Sequence, residues 1–249
     1  MVKAILLSFV SLLFGVLTYV AGIVSLIPGF FLFRWVGLLR LIHWERFSHG
    51  HGGVLAVANH PSILDVFILP LLFYWGFILH PFRRRPRIVA DANNFYNSPW
   101  FWFWARPFMI PVKRGNPRSE VLAENQISAV LKQGGVVILF PERGRSHKAR
   151  NRIAVNGVVL GEFSKSVGRI AVEVPNLTIV PLCIKGSKEA LANEEGYLVG
   201  LHRVKLKPVR IAVGTVLRFT KEERVSATAV HDITQKVFDE ICILAKENF

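Results

Sequence analysis

The chain has 249 residues, 51% of them hydrophobic, a mean hydropathy of +0.37 and a formal net charge of +14 with a pI near 10.3. That length buries a full core, most simply as one α/β domain with an appendage. Basic and greasy together, the composition points to an anionic membrane surface and away from nucleic acid, whose binders carry their charge without such apolar length.

From Ala4 to Phe33 no residue is charged. Pro28-Gly29 punctuates the run, which predicts a first helix over Ala4–Ile27 and a second over Phe30–Trp44. At ~1.5 Å per residue the first can cover a hydrocarbon core of ~30 Å. The second sets Arg34 and Arg40 among Trp35, Leu38, Leu39, Leu41 and Ile42, the pattern of an interfacial helix with snorkelling arginines. A hairpin dipping into one leaflet fits better than a true span. A secretory signal fits poorly: its n-region would hold only Lys3, and hydrophobicity continues past Ala21-Gly22. Arg34, Arg40 and Arg46 would then hold the remainder on the cytoplasmic side of the inner membrane. The expected organisation is a two-helix membrane motif over 1–48 and an α/β domain over 49–249.

His49-Gly50-His51-Gly52-Gly53 reads as a flexible hinge, because H-x-H without a third ligand nearby does not make a metal site. Val54–Ala58 is a short apolar run and a predicted buried strand; Ile63–Tyr74 reads as a helix and Pro107–Val112 as a strand. Asn116-Pro117 makes an N-cap and first helical position. Ala123, Ile127, Val130 and Leu131 form a helical stripe that Gly134-Gly135 ends. Val136–Phe140 is a third strand, Phe163–Val174 a helix, Thr178–Ile184 and Val209–Val213 further strands. Thr220 and Glu223 form a capping box, and Val230, Ile233, Val237, Ile241 and Leu244 line a closing helix. Alternating strands and helices imply a mostly parallel central sheet flanked by helices. Cys183 and Cys242 each sit in an apolar run and read as core thiols of a reducing compartment; no C-x-x-C marks a zinc site.

Chemistry gathers at the predicted strand ends. His60 follows the first strand, at the carboxyl edge where open α/β sheets hold their sites. Pro61 keeps His60 out of helical geometry, and Asp65 falls about one turn into the following helix. Helical side chains lean toward the N-terminus, so Asp65 can reach an imidazole nitrogen, fix its tautomer and leave the other nitrogen to take a proton. A histidine capping the helix with an aspartate near its positive end explains the spacing equally well. Two further strand ends carry Pro111-Val112-Lys113-Arg114-Gly115 and Phe140-Pro141-Glu142-Arg143-Gly144-Arg145-Ser146. Each alone reads as a solvated basic loop; three such ends around one histidine favour a phosphate receptor.

These segments resemble the glycerolipid acyltransferase family, specifically the 1-acyl-sn-glycerol-3-phosphate acyltransferases. Asn59, His60 and Asp65 match its N-H-x-x-x-x-D block, and Met109 to Arg114 its apolar stretch ending in arginine. Phe140, Pro141, Glu142, Arg145 and Ser146 match its F-P-E-G-T-R-S block, with Arg143-Gly144 at the middle pair. Ile179-Val180-Pro181-Leu182 matches its proline-bearing strand, and Phe163 to Glu173 its preceding helix, with Ser164 and Ser166 at the family's lysine and glycine. The resemblance runs in order from about residue 50 to 220. Asp91-Ala92-Asn93-Asn94 stands where such enzymes often have a lysine-containing segment. That departure and Arg143 bear on the acceptor, not on the reaction class.

The resemblance implies a direct transfer. His60, oriented by Asp65, deprotonates the 2-hydroxyl of lysophosphatidic acid, which attacks the thioester of acyl-carrier protein or acyl-CoA and gives phosphatidic acid. No serine or cysteine nucleophile, metal or cofactor is called for, and Ser62 reads as a first-turn helix residue. Arg114, Glu142, Arg145 and Ser146 would hold phosphate and glycerol, supported by Asn59, Lys113, Arg143, Gly144 and Pro181. Arg83-Arg84-Arg85 with Arg87, and Lys148-Arg150-Arg152, would meet anionic lipid or an acidic carrier protein, or form a solvated positive face. Trp100-Phe101-Trp102-Phe103-Trp104 suits the lipid interface near an acyl tunnel, with core packing as the alternative. Another lysolipid or an aminolipid is the competing acceptor. A non-catalytic protein binding anionic membranes is the competing class, which the His60/Asp65 pair argues against.

Overall fold

The computed structural model describes residues 16–17, 20, 28–47, 52–80, 83–93, 106–142, 144–149, 151–190 and 207–249. The expected helix Ala4–Ile27 (but for residues 16, 17 and 20), the run Trp100–Trp104, Arg143 and Arg150 lie outside them. Helical residues 28–35 (α1) lead into Leu39–Ile42 (β1) and Val54–Ala58 (β2). Asp65–Ile68 (α2) and Tyr74–Leu79 (α3) precede Pro86–Asp91 (β3) and Met109–Val112 (β4). Pro117–Lys132 (α4), Val136–Leu139 (β5) and the antiparallel pair Ile153–Val155 (β6) and Val158–Leu160 (β7) follow. Ser166–Glu173 (α5), Thr178–Lys185 (β8), Ser187–Ala190 (α6), Val209–Val213 (β9), Lys221–Val225 (α7) and Ala229–Asn248 (α8) complete the described chain.

Seven strands form one sheet in the order β1-β9-β8-β2-β5-β3-β4. Every neighbouring pair is parallel except β8 with β9. The strand β2 lies centrally, in register with β5 on one side (Val57↔Leu139) and β8 on the other (Ala58↔Leu182). All of its positions are buried, as a parallel strand covered on both faces requires. Its side chains alternate: Val54, Ala56 and Ala58 pack with Leu69, Leu72 and Phe73, while Leu55 and Val57 face Ile127 and Leu131 of α4, Ile170 of α5 and Val237 and Ile241 of α8. Each large aliphatic fully buried there contributes about 1.5–3 kcal/mol relative to exposure. Two apolar layers thus clamp β2 and hold its carboxyl end in place.

The local signals explain most boundaries. The Asn116 side chain accepts from Ser119 N at 3.1 Å, which caps α4 as expected. Gly134 adopts φ 77, a left-handed geometry that ends α4 at a glycine. Thr220 and Glu223 make the reciprocal capping box of α7. Pro181, one of the sequence-matched positions, is buried in β8 where three steps on that strand oppose four on its partner, between Ile179↔Leu217 and Leu182↔Val213. Such a bulge tolerates the missing N–H.

Three expectations need correction. The helix expected over Phe30–Trp44 stops near residue 35, and Leu39–Ile42 instead forms the edge strand β1, paired with β9 from Leu39↔Val209 to Ile42↔Ala212. Gly37, at φ 72, turns the chain, and the alternation Leu39, Leu41 against Arg40, Ile42 is as compatible with a strand as with a helix once a partner strand is present. The helix expected over Ile63–Tyr74 is broken into α2, a 3-10 turn over Leu69–Phe73 and α3, because Pro70 has no N–H for the helical ladder. Of the expected hinge, His49, Gly50 and His51 lie outside the described residues, and Gly52 and Gly53 are packed: a Cβ on Gly53 would lie 2.3 Å from the Leu131 carbonyl oxygen, and Arg84 donates to Gly52 O at 3.1 Å. Among the described residues, β3, the β6–β7 hairpin and the short helix α6 had no sequence forecast. Among the described residues, no helix is long and apolar enough to cross a membrane.

Candidate active site

His60 leaves the carboxyl end of β2 and is 7% exposed. Its Nδ1 lies 3.1 Å from Asp65 Oδ2, and Ser62 N donates to the same oxygen at 2.8 Å. The helix α2 begins at Asp65 itself, so His60 and Asp65 face each other across the short turn that Pro61 starts. Because Asp65 Oδ2 acts as an acceptor for Ser62, the hydrogen bond with His60 is satisfied by a protonated Nδ1. Nε2 is then the basic nitrogen. The Phe140 ring stacks on the imidazole, with centroids 4.2 Å apart and planes at 22°.

The backbone of His60 is held as firmly as its ring. His60 N donates to Glu142 Oε2 at 2.9 Å and to Ser146 Oγ at 3.0 Å, and Ser146 N donates to His60 O at 2.9 Å. The Ser146 hydroxyl donates to Glu142 Oε2 at 2.6 Å, and Gly161 N donates to Glu142 Oε1 at 2.7 Å. Glu142 is buried, so desolvation raises its pKa, while the hydrogen bonds from Gly161, Ser146 and His60 pull it down. Asn59 makes a second tie: its side chain donates to Ile184 O at 3.0 Å and accepts from Ile184 N at 2.7 Å. Glu142 and Ser146 therefore tie the end of β2 to that of β5, and Asn59 ties it to that of β8.

His60, Glu142, Gly144 and Arg114 line one cleft of about 680 Å³, with apolar Val89, Ala123, Ile127, Leu139 and Phe163 beside them. Three sequence-chosen strand ends thus do converge. Arg114 reaches Asp91 at the end of β3, Nε to Oδ2 3.5 Å, and its Nη1 lies 4.0 Å from where a Cβ on Gly144 would stand. Arg145 is half-buried, Lys113 is exposed and Pro181 lies inside the sheet; none of the three lines the cleft. Lys148 does line it, and Arg152 donates to His147 O. The cluster Arg83, Arg84, Arg85 and Arg87 falls at the amino end of β3, the opposite edge of the sheet, where Arg83 Nε donates to Gln133 O at 2.9 Å.

Asp91 stood out in the sequence only as part of a departure from the family pattern, with no role attached, and Gly161 did not stand out at all. Asp91 ends a strand whose Pro86 start and flanking arginines hid its period, and Gly161 has no signal beyond being a glycine. A Cβ on Gly161 would lie 2.2 Å from Ala149 Cβ, so only glycine brings its N–H to Glu142. Burial raises the thiols of Cys183 and Cys242 above the ordinary range, so neither is a ready thiolate. Among the described residues, no group of three or more His, Cys, Asp or Glu side chains could hold a metal ion.

The acyltransferase family model matches residues 41–185, more than half of the chain and the segment that holds β2, the cleft and β8. The chain belongs to the acyltransferase family. The chain is 27% identical over 143 residues to a chloroplastic 1-acyl-sn-glycerol-3-phosphate acyltransferase of Arabidopsis thaliana, covering 57% of its own length and 35% of that protein. It is also 27% identical over 143 residues to a chloroplastic 1-acyl-sn-glycerol-3-phosphate acyltransferase of Brassica napus, covering 57% and 36%. The match spans about a third of either relative.

Proposed function

We propose that this acyltransferase moves an acyl group from a thioester of acyl-carrier protein or CoA to the 2-hydroxyl of a 1-acyl-glycerol 3-phosphate, giving phosphatidic acid. The observation that carries the reading is the 3.1 Å His60–Asp65 pair opening onto a cleft that also holds Arg114. The names of the two plant relatives support the acceptor.

In the proposed step, His60 Nε2 takes the proton of the 2-hydroxyl as its oxygen bonds to the thioester carbonyl carbon. Asp65 stabilises the imidazolium that forms. The carbon–sulfur bond then breaks, and the thiolate leaves with the proton from His60. Every atom is accounted for without a covalent enzyme intermediate, metal or cofactor. Arg114, Lys148 and Lys165 are the cations of the cleft that would meet the phosphate, alongside Glu120, Glu124 and Glu162 in its lining, and the apolar wall around Ile127 and Phe163 suits the acyl portion. Glu142 and Ser146, with their polar atoms engaged, position His60 and do not bind the phosphate directly.

Membrane attachment is part of the same proposal. Phe31, Leu32 and Phe33 of α1 are exposed, and Trp35 is 86% exposed beside Arg34. Aromatic side chains next to arginine suit the headgroup depth of an anionic leaflet. Arg34, Arg40 and Arg46 favour a cytoplasmic catalytic domain at the inner membrane.

The test is thiol release by purified protein supplied with lysophosphatidic acid and an acyl thioester. His60→Ala is expected to lower kcat by about 10²–10⁴, the span of one general base. Release that survives His60→Ala overturns the mechanism. Release only with other lysolipids or aminolipids overturns the acceptor, and its absence with every acceptor favours a non-catalytic membrane binder.

A further inference from the structure

We propose that Asp91 is a positioning residue that presents the guanidinium of Arg114 to the acceptor's phosphate; the proposal rests on the acceptor reading above. The two side chains come from adjacent parallel strands. Asp91 closes β3 in register with Val112 of β4, so the chain needs only two further residues to bring Arg114 beside it. Asp91 is buried, and its carboxylate is itself fixed: Oδ1 accepts from Asn93 N at 2.9 Å. That leaves Oδ2 facing Arg114 Nε at 3.5 Å.

The nitrogen Asp91 engages decides the consequence. A guanidinium has one Nε and two terminal nitrogens, and a carboxylate on Nε leaves the terminal pair free to fork around a phosphate. Here Nη1 is carried toward Gly144, on the turn after β5 that also bears Glu142, the anchor of the His60 backbone. Nη1 thus lies on the Gly144 side of the cleft that His60 also lines. The Arg114 side chain is 47% exposed, so without that anchor it would be free to spread over many rotamers in water. Asp91 removes that freedom before substrate arrives, which lowers the cost of ordering it on binding. The pair as a whole is neutral, so the arginine acts through the direction of its N–H groups, in a cleft lined by Lys148 and Lys165 and also by Glu120, Glu124 and Glu162.

The experiment uses the full chain in lipid nanodiscs. Asp91→Asn keeps the shape and removes the charge, and Asp91→Glu restores the charge. Asp91→Asn is expected to raise the KM for lysophosphatidic acid about fivefold, the size of one partly exposed charge contact. Both kcat and the KM for the acyl thioester should stay within about twofold, and Asp91→Glu should recover part of the loss. In an Arg114→Ala background the Asp91→Asn effect should vanish, as coupling through Arg114 requires. The second readout needs no activity: the NMR order parameter of the Arg114 Nε–H should fall in Asp91→Asn as the side chain spreads over more rotamers. An unchanged order parameter overturns the proposal, whatever the kinetics. A KM that falls in Asp91→Asn also overturns it, since the carboxylate would then be competing with the phosphate. Wild-type protein inert toward lysophosphatidic acid, with the side-chain order still lost in Asp91→Asn, refutes the acceptor reading alone and leaves the Asp91–Arg114 pairing standing.

Discussion

Glu142→Gln is the sharpest probe of how the site is held, because it changes one atom of a buried acceptor. In the wild type both carboxylate oxygens receive donors: Gly161 N on Oε1 at 2.7 Å, and His60 N and the Ser146 hydroxyl on Oε2 at 2.9 and 2.6 Å. An amide has only one oxygen, so its NH₂ must face an N–H on one side. The less costly placement turns NH₂ toward Ser146, whose hydroxyl can rotate to accept; His60 N then keeps Ser146 Oγ and loses the carboxylate. The loss is one charge-assisted bond to His60 and weaker bonds elsewhere, about 2–3 kcal/mol. At ~2–4 °C per kcal/mol for a chain of this size, Tm should fall by about 5–10 °C in differential scanning calorimetry. Proton linkage gives a second check. Burial holds the Glu142 pKa above the usual glutamate value, so the folded chain binds that proton more tightly than the unfolded one. The resulting stabilisation is full below the unfolded value and is lost as pH rises through the folded one. The variant does not titrate there, so the stability gap should widen as pH falls from about 7 to about 4.5. A Tm within about 2 °C of wild type, or a gap that narrows on acidification, would refute the role assigned to Glu142.

Two further variants test the frame around the site. Asn59→Ala strips both partners from the backbone of Ile184, a buried strand position, and should cost about 2–4 kcal/mol in urea unfolding; a loss under about 1 kcal/mol means that water substitutes for the amide. Gly168→Ala sets two effects against each other on α5. Helix propensity gains about 1 kcal/mol, but the new Cβ would stand 2.0 Å from the Val230 carbonyl oxygen of α8. The clash should win, with a net loss of about 1–2 kcal/mol in the same assay, and a stabilised variant would show that α5 and α8 separate easily.

How much of this was legible in one dimension depends on how local the cause is. Caps and breakers act within a few residues, so Asn116, Gly134 and the Thr220–Glu223 box were readable and are found where expected. Short apolar runs bounded by polar residues gave β2, β5, β8 and β9 to within a residue or two at their ends, because burial on both sheet faces leaves few polar positions in a strand, Arg210 inside β9 being an exception. The His60–Asp65 pair was legible as a possibility, since Pro61 fixes the turn between them. Whether it was a helix cap or a catalytic pair was not a local question.

Tertiary structure decided the rest. The stretch Leu39–Ile42 has an apolar pattern that suits either a membrane helix or an edge strand, and pairing with Val209–Ala212, far along the chain, selects the strand. The arginines showed the same dependence. Arg83 and Arg114 both sit in basic clusters near strand ends, and only the direction of β3 and β4 through the sheet puts Arg114 in the cleft and Arg83 at the far edge. Asp91 and Gly161 acquired their roles solely from contacts with Arg114 and Glu142. The sequence by itself determined the candidate His60–Asp65 pair and the class of fold, because those follow from residue type and short-range geometry. Which groups hold them in place follows from contacts between distant segments, and those exist only once the sheet has set its strand order.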